Sequence, residues 1–315
     1  MLVNRAYYRV KPLIPRRLQI AVRRWVAARK RSLYRDVWPI DPKAGGASQA
    51  RCRWPEGKKF ALVLTHDVET NKGQEKCREI MLLEKGLGFQ SCFNFVARRY
   101  EVSRELRHHL IENGFEVGVH GLYHDGRLFE SKKIFEKRAI LINQYIKEWG
   151  SVGFTSPSMH RNPDWIHDLN VEYAQSTFDT DPFEPDPGGQ GRIFPFWVNG
   201  RGAGIGYVEQ PYTLPQDFTL YILLREKNIE IWGKKLDWIA DRGGMALLDT
   251  HPDYMNCNGK GCGFEEYPMD FYKRFLEYVR VKYEGEYWNP LPREMARFWK
   301  ENMVEKAAGG SVVLG

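Results

Sequence analysis

Acidic and imidazole side chains follow three apolar segments of the sequence, at the point where each segment ends. The segments are 60–65, 115–119 and 245–249, and the residues after or near their ends are Asp67, Glu69, His120, His124 and His251. Carboxylates and imidazoles are ligands of zinc and similar divalent ions, and the same groups act as general bases and acids. This set of residue types therefore indicates a metal-assisted hydrolytic site.

Asp67 and Glu69 are two positions apart at the end of an apolar run. Side chains alternate along an extended chain, so both carboxylates point the same way and can face one pocket. One could serve as a base and the other as a metal ligand. Acidic residues also follow strands as solvated caps, and that alternative stays open for this pair alone.

The histidines form a pair and a single residue. His120 and His124 have the i, i+4 spacing that places two side chains on one face of a helical turn, from which both imidazoles could reach one ion. His251 stands alone after the third apolar run, and a lone histidine is more often structural than catalytic. Its position at a third strand end favours a role in the same site.

Short apolar runs alternate with longer amphipathic segments through most of the chain, which predicts a parallel α/β sheet, closed or nearly closed into a barrel. In such a barrel the carboxyl ends of the strands lie on one face and carry the reactive groups. The predicted strands are 60–65, 91–96, 115–119, 152–155 and 245–249, and the predicted helices are 72–86, 102–113, 129–148, a region near 217–241 and 268–282.

The motifs occur in a recognisable order. Thr65-x-Asp67 is followed by His120-x-x-x-His124, then by Gly-Phe-x-x-Pro ending at Pro157, and finally by Leu-x-x-x-His ending at His251. This series resembles that of the NodB homology domain, carbohydrate esterase family 4, over about residues 55–300. The resemblance implies a distorted (β/α) barrel and a metal-dependent hydrolase that removes an N-acetyl or other acyl group from an amino sugar. The implied substrate is an N-acetylated glycan or a lipid-linked sugar precursor.

The resemblance also implies a role for each matching residue. Asp67 corresponds to the catalytic base and His251 to the general acid. His120 and His124 correspond to the metal-binding histidines, and Pro157 belongs to a motif that lines one wall of the pocket. The implied cofactor is a divalent ion, zinc above all, with cobalt, nickel or manganese as alternatives.

The first motif departs from the family pattern, in which two aspartates are often adjacent. Here Val68 follows Asp67, and the next acid is Glu69. We assign Glu69 as the metal ligand and Asp67 as the base, while the opposite assignment stays open.

The third motif has Thr155 where the family usually has arginine. Arg161 could orient Asp67 or contact substrate instead, or it could be a surface arginine. The loop 179–189 is acidic and rich in proline. Asp181 could contact substrate there, and Asp179 or Asp181 could orient His251. Alternatively, the loop is simply solvated. These departures keep two alternatives open, an inactive carbohydrate-binding protein and a metal-dependent hydrolase of a non-sugar amide.

The net charge of +7 is unevenly distributed. Residues 1–35 contain eleven Lys or Arg and no Asp or Glu, whereas the other 280 residues have 36 basic and 40 acidic side chains. We therefore expect no nucleic-acid partner for the main domain. Ile14, Leu18, Val22 and Trp25 lie on one helical face, with Pro15 at the first turn. This basic amphipathic helix either contacts an anionic membrane surface through residues 1–35 or packs its apolar stripe on the domain.

The predicted organisation is a basic arm and linker at 1–50, a deacetylase-like domain at 51–303 and a flexible tail at 304–315. The chain has no apolar run of 18 residues and no secretory signal pattern, and its five scattered cysteines favour reduced thiols. The expected location is the cytoplasm, including the inner face of the membrane.

Overall fold

The computed structural model describes residues 14–45, 53–184, 188–200, 202, 204–259 and 261–305. Its centre is a parallel sheet, and the first strand is buried at all nine positions, as expected for a continuous apolar run covered on both faces. The strands are β1 (Phe60–Val68), β2 (Cys92–Phe95), β3 (Glu116–Val119), β4 (Gly153–Thr155), β5 (Tyr173–Gln175), β6 (Phe196–Asn199), β7 (Gly206–Glu209), β8 (Met245–Thr250), β9 (Met255–Asn256), β10 (Tyr267–Pro268) and β11 (Tyr287–Trp288).

The strands form a ring. β8 pairs with one edge of β1, and β2, β3, β4, β5 and β7 follow in parallel on the other side, while β6 lies antiparallel beside β7. Beyond β7, the Tyr212 amide donates to Thr177 O at 3.0 Å and the Thr213 amide donates to Leu247 O at 3.1 Å, so this segment joins the β5 side to β8. A few hydrogen bonds rather than a continuous ladder close the ring. The predicted distorted (β/α) barrel is confirmed.

Helices cover the outside of the ring. The helix Lys132–Trp149 illustrates why they form. The Ser131 side chain caps its first turn, Phe135, Ile142 and Ile146 recur on its buried face, and Gly150 ends the helix in a left-handed conformation. In the described residues the helices are α1 (Arg16–Leu33), α2 (Asn71–Gln74), α3 (Cys77–Leu87), α4 (Arg104–Glu112), α5 (Lys132–Trp149), α6 (Pro163–Ile166), α7 (Glu230–Asp241), α8 (Met269–Lys282) and α9 (Pro292–Trp299).

Two predicted helices are divided in the structure. The segment 72–86 contains α2 and α3, and the region near 217–241 contains a π-helical turn, Phe218–Leu223, followed by α7. Strands β5, β6 and β7, of three or four residues each, were not predicted.

Helix α1 lies against the domain with its predicted apolar stripe turned away from it. Leu18, Val22 and Trp25 are each more than half exposed, and the buried side chains are Gln19, Ile20 and Ala27. The alternative that this stripe packs on the domain is therefore wrong. Residues 1–13 of the arm, the linker residues 46–52 and the tail from 306 onward lie outside the described residues.

Two further sequence expectations bear on the fold. No helix in the described residues has the length and apolar character needed to cross a bilayer. Four cysteines are free there, Cys77, Cys92, Cys257 and Cys262, and Cys52 lies outside the described residues.

Candidate metal and hydrolytic site

The predicted chemical residues meet in one cleft at the carboxyl ends of β1, β3 and β8. The cleft has a volume of about 1040 Å³. The predicted residues that line it are Asp67, Glu69, His120, His124 and His251. Three strand ends that are far apart in sequence thus place their carboxylates and imidazoles around a single space.

Asp67 is buried near the end of β1, directly beside Asn94 of β2. The Asn94 side-chain amide donates to Asp67 Oδ1 at 3.1 Å. Gly118 of β3 leaves room for this amide, since a β-carbon there would lie 1.9 Å from Asn94 Oδ1. Burial raises the pKa of Asp67 to about 6. Asn94 is not among the predicted site residues, although a polar residue within an apolar strand is a visible signal in the sequence.

His120 follows β3 and is almost fully buried. Its Nδ1 lies 3.0 Å from Thr155 Oγ1 and 3.2 Å from Asp67 Oδ2. Its Nε2 is buried and has no hydrogen-bond partner in the part of the chain that the structure describes. Burial and the neighbouring His124 hold the pKa of His120 well below its usual range, so the ring is neutral. With Nδ1–H donating to Thr155 or Asp67, Nε2 presents a free lone pair.

The turn between His120 and His124 is not helical, so the structural basis predicted for their spacing is wrong. Gly121 and His124 have left-handed backbones, with φ of 62° and 52°. Pro157 packs so tightly on this turn that a β-carbon at Gly121 would lie 2.4 Å from Pro157 Cγ. The turn still brings the two imidazole rings to a centroid distance of 5.0 Å.

Glu69 completes a group of three side chains. Its Oε1 lies 3.0 Å from His124 Nε2, and one ligand atom each from Glu69, His120 and His124 all lie within 4.8 Å of one another. Burial alone would raise the pKa of Glu69, but His124 outweighs it and holds that pKa well below the usual range. Two imidazole nitrogens and a carboxylate oxygen are a donor set that suits zinc and related ions, so these residues fit the implied metal.

A second group of similarly close ligand atoms consists of Asp67, Asp249 and His251. Its members are engaged in other contacts: Asp249 Oδ2 accepts from Gln216 at 2.8 Å, and Asp67 accepts from Asn94. The unpartnered nitrogen of His120 distinguishes the first group from this one.

His251 is held by Asp217, which is not among the predicted site residues. Asp217 Oδ1 lies 2.8 Å from His251 Nδ1, and Oδ2 accepts from the His251 backbone amide at 2.8 Å. Burial opposes protonation of His251, but the negative charges of Asp217 and Asp249 outweigh it and raise its pKa well above the usual range. Asp217 stands at the start of the predicted helix near 217–241, where helical spacing does not reveal a contact with His251.

The expectation that Asp179 or Asp181 orients His251 is wrong. Asp179 pairs with the buried Lys235, and Asp181 accepts a hydrogen bond from the Tyr212 hydroxyl at 3.0 Å. Burial, with Glu184 nearby, raises the pKa of Asp181 to about 8. Asp181 is buried behind the cleft wall, whereas Glu184 of the same segment lines the cleft.

Arg161 does not take the place of the missing arginine. Its guanidinium donates to the carbonyls of Met159 and Gly188 and lies over the Phe178 ring, 5.4 Å from the centroid. The expected contact with Asp67 is made by Asn94 instead, and Thr155 contacts His120. Arg161 thus ties the loop at Gly188 to the barrel.

The sequence matches no protein-family model and no curated protein. Several solved structures share its fold at low identity. A candidate polysaccharide deacetylase from Mycobacterium smegmatis is 16% identical with a TM-score of 0.62, covering 79% of this chain and 93% of that one. The Puue allantoinase is 15% identical with a TM-score of 0.63, and the match covers 84% of this chain and 98% of the allantoinase. A candidate polysaccharide deacetylase from Pseudomonas aeruginosa PAO1 is 13% identical with a TM-score of 0.60, and the match covers 85% of this chain and 97% of that one. The chain has the fold of the NodB-type polysaccharide deacetylases, in a form divergent in sequence.

Proposed function

We propose that this chain is a metal-dependent hydrolase that removes an N-acyl group from an amino sugar in a polysaccharide or glycan precursor. The observation that carries the proposal is the buried Nε2 of His120, which has no hydrogen-bond partner among the described residues and lies beside Glu69 and His124. The same cleft contains Asp67 and His251 as a base and an acid. The motif order and the deacetylase fold support this function.

Glu69, His120 and His124 would hold the ion. When bound, a divalent ion polarises the acyl carbonyl and lowers the pKa of water. Thr155 and Asp67 both lie against Nδ1 of His120, which fixes the ring and leaves Nε2 directed at the ligand group. This arrangement supports Glu69 as the third ligand and leaves Asp67 free to act as a base.

Asp67 and His251 divide the proton transfers. Asp67 is ionised at neutral pH, because its pKa is about 6, yet it is a stronger base than an exposed aspartate. It takes the proton of the attacking water, with Asn94 holding the carboxylate in place. His251 is protonated at the same pH, since Asp217 stabilises the imidazolium. It donates its Nε2 proton to the departing amine nitrogen.

A second candidate is hydrolysis of a non-sugar amide. One of the structures with this fold is an allantoinase, and the same ligand and acid–base groups would serve either substrate.

A chain that binds carbohydrate without hydrolysing it is the third possibility, motivated by the altered first and third motifs. Acetate release from N-acetylated glycan fragments, measured alongside ammonia or amine release from linear and cyclic amides, separates all three.

The decisive experiment is removal of His120. We expect the purified protein to contain about one zinc or similar ion per chain, and His120→Ala to lose both the ion and the hydrolytic activity. The matched control is His167→Ala, because His167 also has a buried Nε2 without a hydrogen-bond partner among the described residues but does not line the cleft. Metal content by elemental analysis should be unchanged in that variant. Full metal occupancy in a folded His120→Ala protein would overturn the ligand assignment.

A further inference from the structure

Helix α1 directs most of its cations toward the domain. Arg16 pairs with Glu265 at 2.6 Å, and Arg31 pairs with Glu226 at 2.5 Å. Arg24 Nε donates to Ile222 O at 2.8 Å, and Lys30 donates to Pro182 O at 2.6 Å. These contacts fix α1 on the domain through its polar residues.

Apart from the buried Ile20, the large apolar residues of α1 face outward as a consequence. At 100° per residue, they fall within an arc of roughly 100°. They are Leu18, Val22, Trp25, Val26 and Leu33, all exposed. A surface helix ordinarily buries its apolar stripe, as α5 does, and an exposed apolar patch marks an interaction surface. The orientation of α1 is therefore inverted relative to that of the other helices that cover the barrel.

This outward face adjoins the catalytic cleft. Val22 and Val26 belong both to the exposed apolar arc and to the residues that line the cleft, together with Arg23 and Lys30 of the same helix. Arg23 lies over the Phe218 ring at 4.5 Å. Whatever covers the apolar face of α1 also lies at the edge of the cleft.

We propose that the outward face of α1 docks on an anionic phospholipid bilayer, with the rim of the cleft at the lipid surface. Interfacial helices lie in the membrane plane, with the apolar face at the acyl boundary and the cations near the phosphates. Arg29 is exposed and falls within the apolar arc, between Leu18 and Val22. It lies over the Trp25 ring at 3.9 Å, which keeps its charge at the level of that face.

Charge selects the bilayer over a second copy of the chain. Helix α1 contains no acid, and Arg29 lies within its outward face, so a two-fold pairing of this face with itself would bring the arginines of two copies together with no acid of α1 to pair with them. An anionic surface complements that charge instead, and residues 1–35 carry eleven cations in all. The docking does not depend on the hydrolytic function, and its failure would leave that proposal untouched.

The test is sedimentation of the full chain with vesicles of phosphatidylcholine, with and without phosphatidylglycerol. We expect the chain to bind the vesicles that contain phosphatidylglycerol, and to bind them more weakly at high salt. Trp25→Glu or Leu18→Glu should each reduce vesicle binding at least about tenfold, since each removes a large apolar side chain from the lipid contact. The matched control is Ile140→Glu on α5, where Ile140 is 64% exposed compared with 56% for Trp25. It should bind like the wild type.

Three results would overturn the proposal. The first is equal vesicle binding by the wild type and a folded Trp25→Glu protein. The second is a dimer in light scattering that Trp25→Glu dissociates, without any vesicle binding, which would assign the face to a second copy. The third is vesicle binding that is abolished by deletion of residues 1–13 and unaffected by Trp25→Glu. Circular dichroism and thermal melting establish that each variant is folded.

Discussion

Two buried histidines of the barrel, His66 and His120, differ in the hydrogen bonding of Nε2. Their Nδ1 atoms are alike: His66 Nδ1 lies 2.7 Å from the Thr250 hydroxyl, and His120 Nδ1 lies 3.0 Å from the Thr155 hydroxyl. His66 Nε2 lies 2.8 Å from Glu84 Oε1, whereas His120 Nε2 has no hydrogen-bond partner within the described ranges. Side-chain alternation along β1 turns His66 toward the helices and Asp67 toward the cleft.

The difference separates a structural histidine from a candidate ligand. Glu84 also accepts from the hydroxyls of Ser91 and Tyr272, so the carboxylate and imidazole around His66 form a complete buried network. His120 has the same burial and one open nitrogen, and such an atom costs free energy unless a partner is supplied. His66 and His120 share burial and residue type, and what indicates function is the missing partner of His120 together with its position in the cleft, which His167 does not have.

The largest expected effect on stability is that of His66→Ala. It leaves the buried Glu84 without its imidazole partner, so we expect the free energy of unfolding to fall by about 3–5 kcal/mol. Metal content per folded molecule should not change. Denaturant titration measures the first quantity and elemental analysis the second. A variant as stable as the wild type would show that the His66 network is not structural.

Next in size is the effect of the threonines on metal affinity. Thr155→Val removes the hydroxyl that fixes His120, and loss of such a supporting contact typically weakens metal binding about 10–100-fold. Thr250→Val removes the equivalent hydroxyl from His66, which should cost about 1 kcal/mol of stability and leave metal affinity unchanged. Competition with a chelator gives both affinities. Equal affinities in the two variants would contradict the comparison.

The smallest expected effect concerns His251, a third buried histidine whose Nδ1 meets a carboxylate rather than a hydroxyl. Asp217 raises the pKa of His251, so Asp217→Asn lowers it, and the protonated acid is lost at a lower pH. We expect the alkaline limb of the rate profile to move down by about one pH unit, because Asp249 remains nearby. An exposed control is Asp270→Asn on α8. An unshifted alkaline limb would exclude His251 as the acid.

The sequence allowed prediction of those site residues that follow from periodicity. The end of each apolar strand could be located, and the strands of a parallel barrel meet at one face, which is why Asp67, His120 and His251 were predicted to converge. Asn94 was missed because its contact depends on the register between β1 and β2. Asp217 was missed because it stands at the start of the predicted helix near 217–241, and helical spacing carries no information about a contact with the end of a distant strand.

The amphipathic pattern of α1 predicted a helix correctly but not which face the domain would cover. Periodicity defines two faces, and the contacts made by each depend on the rest of the chain. Here the carboxylates of Glu226 and Glu265 and two backbone carbonyls hold the cationic side, a result that requires the assembled fold.

Gly118 has a consequence for the evolution of the site. It carries no chemical group, yet any side chain at this position would push Asn94 away from Asp67. A single substitution there could therefore silence hydrolysis while every residue of the recognisable motifs is retained. In a lineage of such proteins, positions 94 and 118 should change together, and a side chain at 118 would identify members that bind without turnover more reliably than the motifs do.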